Sequence, residues 1–174
     1  DQAELAISKT TPPPSRRKSP DSSMLAIVNS LLPSKTSKKR CLVLPMVFAV
    51  GGVERNTVEI IRELRNEFEF LVVTTERHTE AKGSLIYQLD EIGVNSIDLA
   101  EISDNVHHMK LLASLKSNFE PELVWICNGS PWLVANSLQL RRLFATIPVI
   151  DQQVYDIKEG WIEHYHTRGI QASN

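Results

Sequence analysis

Cysteine is scarce in these 174 residues: Cys41 and Cys127 are the only two, and each sits inside or at the end of an apolar run. The reading is two buried free thiols, consistent with a reducing compartment. No apolar run approaches the roughly 20 residues needed to cross a bilayer. The opening Asp1-Gln-Ala-Glu-Leu5 lacks the charged-then-apolar layout of a secretory leader, and it lacks an initiator Met. The expectation is therefore a piece cut from a longer cytoplasmic protein. The phosphate-binding pattern Gly-x-x-x-x-Gly-Lys-Ser/Thr is missing, which counts against a P-loop hydrolase, and so is Gly-x-Gly-x-x-Gly, which counts against a standard dinucleotide site. Spacing alone identifies no Ser-His-Asp or Cys-His grouping.

What is present begins with an uneven charge. Residues 1–40 carry eight Lys/Arg against three Asp/Glu, and residues 41–174 carry eleven against eighteen. A basic tail thus precedes an acidic domain. Thr10-Thr-Pro-Pro-Pro-Ser-Arg-Arg-Lys-Ser-Pro20 offers few apolar anchors to offset the entropy of ordering, so residues 1–39 read as a linker with a short helix over 22–32. The alternative for the stretch 9–40 is weak contact with an anionic membrane surface. No nucleic-acid partner is expected.

From residue 41 the pattern alternates. Cys41–Val50 is a continuous apolar run, the mark of a strand buried on both faces. Val53, Thr57, Ile60, Ile61 and Leu64 follow at helical spacing. Phe68–Thr75 is a second strand, Leu85–Ile92 a short helix closed by Gly93, and Val94–Leu99 a third, less apolar strand nearer a sheet edge. Asn105–Phe119 reads as a helix with Val106, Met109, Leu112, Leu115 and Phe119 inward. Leu123–Cys127 is a strand, Trp132–Phe144 a helix begun by Ser130-Pro131, and Ile147–Ile150 the last strand. Strand and helix in alternation with short connections give an α/β fold, a doubly wound parallel sheet flanked by helices.

In such sheets ligands bind beyond the carboxyl ends of the strands. Gly51-Gly52 stands at the first such end, where small residues let the backbone approach a ligand and the following helix aims its free N–H groups and dipole at it. Val53 and Arg55 belong to the same turn, and Arg55 has the fork geometry for a phosphate. The alternative is a tight turn with an exposed charged pair. Asn128 ends the fourth strand, in an Asn-Gly-Ser glycosylation pattern that reads as a turn. Asp151, Gln152, Tyr155 and Asp156 cluster after the last strand, where carboxylates and carboxamides suit sugar hydroxyls. His107-His108 reads as two surface or flanking histidines. His164 and His166 lack a third ligand, so no metal is expected.

The run Val50-Gly-Gly-Val-Glu-Arg-Asn-Thr-Val-Glu-Ile-Ile-Arg-Glu-Leu64 resembles the opening of family 4 glycosyltransferases. Phe119-Glu-Pro-Glu-Leu-Val-Trp-Ile126, Ile147-Pro-Val-Ile-Asp-Gln-Gln-Val-Tyr-Asp156 and Ile170-Gln-Ala-Ser-Asn174 are similar to later strands of that family in the same order. The resemblance covers about residues 40–174. It implies a Rossmann-like domain, one half of a GT-B fold, here the amino-terminal acceptor side. The partner it implies is the carboxyl-terminal domain of the same protein, with a nucleotide-sugar donor as substrate, no cofactor, and a glycan or lipid-linked acceptor. By that resemblance Gly51, Gly52, Val53 and Arg55 approach the donor phosphates, and Asn128, Asp151, Gln152, Tyr155 and Asp156 shape the acceptor pocket. The whole protein would be a hexosyltransferase-like enzyme, cytoplasmic or peripheral to the cytoplasmic membrane, and this portion alone would be inactive. Where many members of the family carry His after the fourth strand and His-Asp after the next, this chain has Cys127-Asn128 and Gln153 or Tyr155 near Asp156, so no catalytic residue is assigned. The other readings are a flavodoxin-like regulatory module and half of a GT-B epimerase.

Overall fold

The computed structural model describes residues 22–77 and 83–152. Five strands form one parallel sheet: β1 (Lys39–Pro45), β2 (Phe68–Thr74), β3 (Asn95–Asp98), β4 (Leu123–Cys127) and β5 (Val149–Gln152), in the spatial order β3-β2-β1-β4-β5. The most apolar runs take the middle. Cys41 to Pro45 in β1 and Phe70 to Thr74 in β2 are all buried, while β3 and β5 occupy the edges.

Side-chain alternation sends each strand's residues to two cores. Leu42, Leu44, Leu71, Val73, Ile97 and Val124 face one side. There they meet α1 (Ser22–Ser30), α4 (Leu99–Ile102), α5 (Asn105–Phe119), α6 (Pro131–Ala135) and α7 (Ser137–Leu143). Cys41, Val43, Phe70, Val72, Trp125 and Cys127 face the other, against α2 (Gly52–Leu64) and α3 (Ile86–Glu91). Leu111, Leu112 and Leu115 of α5 are fully buried, and truncating any one of them to Ala costs about 2–5 kcal/mol. Helix α1 belongs to this body: Val28 is buried, Asn29 accepts from the Asn118 amide at 2.8 Å, and the Leu31 carbonyl accepts from Asn95 at 3.0 Å.

The chain builds β1, β2 and β3 outward in one direction, then crosses back through α5 and lays β4 on the free side of β1. Right-handed crossovers put the helices of the two directions on opposite faces. The reversal leaves a crevice between the ends of β1 and β4, which is the topological switch point of the sheet.

The doubly wound expectation holds, and several details shift. The helix expected over Trp132–Phe144 is two, broken at Asn136, whose side chain donates to the Trp132 carbonyl at 2.8 Å and so competes with the helical ladder. The inner face of α5 is His108, Leu111, Leu112, Leu115 and Phe119, whereas Val106 is 63% exposed. On α2 the buried residues are Thr57, Val58 and Ile61, and Leu64 is exposed. The last strand runs later than expected, so Asp151 and Gln152 belong to it rather than to a loop.

Candidate functional site

The ends of β1, β4 and β5 are tied level. The Met46 N–H donates to the Cys127 carbonyl at 3.3 Å, and the Asn128 N–H donates to the Gln152 carbonyl at 2.9 Å. Beyond Met46 the chain turns over a buried Phe48, whose carbonyl accepts from the Leu85 N–H at 2.9 Å. Val50 then packs over Gly83. That glycine has φ +63°, and a Cβ on it would lie 2.8 Å from Val50 Cγ2, so both backbone and space demand glycine there.

The pair at the start of α2 is a different case. Gly51 caps the helix in an extended conformation, φ −152° and ψ 170°, without a side-chain hydrogen bond, and its carbonyl accepts the Arg55 N–H at 3.2 Å. Any residue adopts that backbone. A Cβ on Gly52 would meet nothing within 4 Å. Neither glycine is thus required by a left-handed turn, and the space above Gly52 is open to a ligand. The space above Gly51 is held by the carboxylate of Glu54, which curls back over the helix start. An anion approaching these amides must first move Glu54 aside. Val53 is half-buried and its carbonyl accepts from the Thr57 hydroxyl at 2.9 Å, while Arg55 is exposed.

Asn128 sits at φ 48°, in the left-handed region that Asn tolerates better than most side chains, and is buried. Its burial removes the Asn-Gly-Ser pattern as a glycosylation acceptor and leaves it as a turn. Ser130 is the N-cap of α6: its Oγ accepts from the Leu133 N–H at 3.1 Å and lies 2.6 Å from Thr75 Oγ1. Glu76 supplies a second anchor, accepting from the Trp132 N–H at 3.0 Å. The Trp132 indole N–H reaches the Asn105 carbonyl at 3.2 Å. The segments after β2 and β4 are therefore bridged across the end of β1, and the amides that begin α6 are already engaged.

Gln152 is held by Trp125, whose Nε1–H donates to Gln152 Oε1 at 3.0 Å. An indole nitrogen only donates, so Gln152 accepts through its side-chain carbonyl, and its amide N–H₂ carries the donors. Gln152 pairs in register with Cys127 and lies on the α2 side of the sheet, and alternation puts Asp151 on the opposite side. The two residues thus do not line one wall, contrary to the expectation of a single cluster. Tyr155 and Asp156 lie outside the described residues, as do Gln153, His164 and His166. Gly51, Gly52, Asn128 and Gln152 share the carboxyl edge around the switch point.

Both thiols are buried and free. Burial pushes Cys41 and Cys127 up to about 12, with a Thr57 hydrogen bond pulling the other way on Cys127. Neither is a nucleophile in this state. Among the described residues, no group of three His, Cys, Asp or Glu is placed to hold a metal, and no helix is long and apolar enough to cross a membrane.

Sequence reading placed Glu76 and Trp132 in the loops at the strands' carboxyl ends without singling either out, and gave Thr75 to the second strand. A Thr-Glu pair closing an apolar strand, and a Trp directly after a Ser-Pro helix start, were the available signals. His108 was expected at the surface, but it is 1% exposed, its ring edge-on to Trp132 with centroids 5.4 Å apart.

A parallel α/β sheet in this strand order, with its crevice between β1 and β4, defines a Rossmann-like fold. No family model and no curated protein matches the chain. Among solved structures, it is similar to an apo form of a double mutant of Etr1p, at 13% identity and a TM-score of 0.39, over 86% of this chain and 46% of that one. It is similar to the mitochondrial 2-enoyl thioester reductase Etr1p/Etr2p heterodimer from Candida tropicalis, at 13% identity and a TM-score of 0.38, over 86% and 46%. It also resembles the U34-tRNA thiolase NcsA from Methanococcus maripaludis with its 4Fe-4S cluster, at 9% identity and a TM-score of 0.40, over 87% and 62%. The chain spans about half the length of the reductases, and none of the three is a glycosyltransferase. At these values no activity follows from the likeness.

Proposed function

We propose that this chain is the acceptor-side half of a two-domain glycosyltransferase that moves a sugar from a nucleotide-sugar donor to a glycan or lipid acceptor. The observation that carries the reading is the start of α2. Two glycines whose backbone conformation any residue could adopt stand at the switch point, Gly51 under the Glu54 carboxylate and Gly52 with open space above it. A backbone kept bare beside uncapped helical N–H groups suits the close approach of a diphosphate. The resemblance of residues 50–64 to the opening of family 4 glycosyltransferases gives the diphosphate its source. Asn128 and the donor amide of Gln152 supply polar groups beside it for hydroxyl recognition. Glu54 is the group the incoming phosphate displaces.

No base is assigned, and half the cleft lies in another domain, so residues 1–174 alone have no measurable transfer activity in this reading. The test is incubation of the chain, and of the longer protein containing it, with nucleotide sugars while released nucleoside diphosphate is measured. Release by the longer protein that falls at least tenfold in Gly52→Val supports the proposal. Turnover by residues 1–174 alone, or a longer protein with no release that Gly52→Val alters, overturns it in favour of a non-catalytic binding module.

A further inference from the structure

We propose that His108 and Trp132 form an acid-sensitive latch that holds the start of α6, and with it the Asn128–Ser130 turn, in place. The imidazole lies in the first turn of α5, almost wholly buried. Nε2 lies 3.2 Å from the Ser103 carbonyl, which can only accept, so Nε2 carries the proton of the neutral ring. Nδ1 is then a bare lone pair, buried and with no hydrogen-bond partner among the described residues. The ring also stands edge-on to the indole of Trp132, with centroids 5.4 Å apart. That indole is fixed twice more, by the Asn105 carbonyl at 3.2 Å and, through its backbone N–H, by Glu76 at 3.0 Å.

The charges bearing on the ring come from two other elements. Glu76 after β2 and Asp98 at the end of β3 both favour the protonated ring, as do the Ser103 and Leu99 carbonyls. Burial opposes them and outweighs all four, so the ring is held below the ordinary histidine range. Of the neighbouring segments, α6 has no ionisable side chain, α4 carries only the exposed Glu101, and the α5 start carries Asp104, His107 and Lys110. Since the latched state binds a proton less readily than a ring in water, linkage requires acid to favour release. A released ring removes one of the surfaces Trp132 packs on, the other being the core cluster of α5, α6 and α7, and the hold on the start of α6 weakens with it. The latch does not depend on the glycosyltransferase reading, since the turn is part of the switch-point crevice whatever that crevice binds.

The experiment is amide hydrogen exchange on the 174-residue chain between pH 7.5 and 5.5, read as protection factors at Trp132, Leu133 and Val134. Their N–H groups bond Glu76, the Ser130 hydroxyl and the Ser130 carbonyl. The expected result is a fall steepening below pH 6.5 toward about tenfold per pH unit, the limit for one proton. It should be absent in His108→Gln and intact in His107→Gln. A fall that persists in His108→Gln assigns the effect to Glu76 and overturns the latch, as does a flat wild-type profile. If His108→Gln does not fold, the wild-type imidazole is followed by NMR. Titration of His108 below the other histidines, with the Trp132 indole N–H shifting in parallel, supports the latch. Titration at or above pH 6.5, or without movement of the indole resonance, overturns it.

Discussion

Replacing Ser130 with Ala should cost far more than one small side chain suggests, because its hydroxyl serves two partners. It caps α6 through the Leu133 N–H and pairs with Thr75 at 2.6 Å, with no solvent exposure. Loss of an N-cap costs about 1 kcal/mol. The Thr75 hydroxyl, itself buried, then loses its partner, for about 1–3 kcal/mol more. The sum is about 2–4 kcal/mol, which at roughly 2–4 °C per kcal/mol for a chain of this size lowers Tm by about 4–16 °C. Thr75→Val should cost about 1–2 kcal/mol, since Ser130 keeps its bond to Leu133. In the double variant no hydroxyl is stranded, so its cost should fall short of the summed singles by about 1–2 kcal/mol. Urea unfolding of the four proteins measures this directly. A double variant additive within about 0.3–0.5 kcal/mol would refute the bridge between the β2 and β4 segments.

Gly83→Ala should destabilise by about 1–2 kcal/mol from the left-handed backbone alone, and more from the close approach of Val50. Adding Val50→Ala should recover only the steric part, as thermal melts of the three variants would report. Cys41 and Cys127, pushed up to about 12, should resist alkylation at pH 8 until the chain unfolds, and rapid stoichiometric labelling of the native protein would contradict their burial. His108 is neutral and held low in the folded state, so the unfolded chain binds the extra proton first. Stability should therefore decline as pH falls below about 6.5, and denaturant midpoints of His108→Gln should show a shallower slope over the same range.

The sheet was legible because its strands are continuous apolar runs, and burial on both faces is the only cheap place for Cys41–Pro45 or Phe70–Thr74. The Ser130-Pro131 start and the Gly93 stop were legible for the same local reason: each satisfies a helix end within a few residues. The break at Asn136 was not, since Leu133, Leu140 and Phe144 keep helical spacing across it while a side-chain hydrogen bond decides the matter. The inward turn of His108 was hidden too. A histidine beside a histidine looks polar, and its burial comes from tertiary packing, with Trp132 edge-on to the ring. At the candidate site, the position of Gly51-Gly52 followed from strand order. The opposite facing of Asp151 and Gln152 did not, because it turns on where β5 ends.

The cross-tie from Thr75 and Glu76 to Ser130 and Trp132 links the segments that follow β2 and β4, on either side of β1. It works as a girder: the two strands that flank β1 cannot splay at their ends without breaking both links. On the α2 flank the described residues present a glycine-started helix and the Glu54 side chain over Gly51, with no side-chain tie spanning β1 among them. A second body closing over this edge thus meets a stiff wall on the α6 side and a compliant rim on the α2 side. In the proposed reading, adjustment to ligands of different bulk falls to that rim.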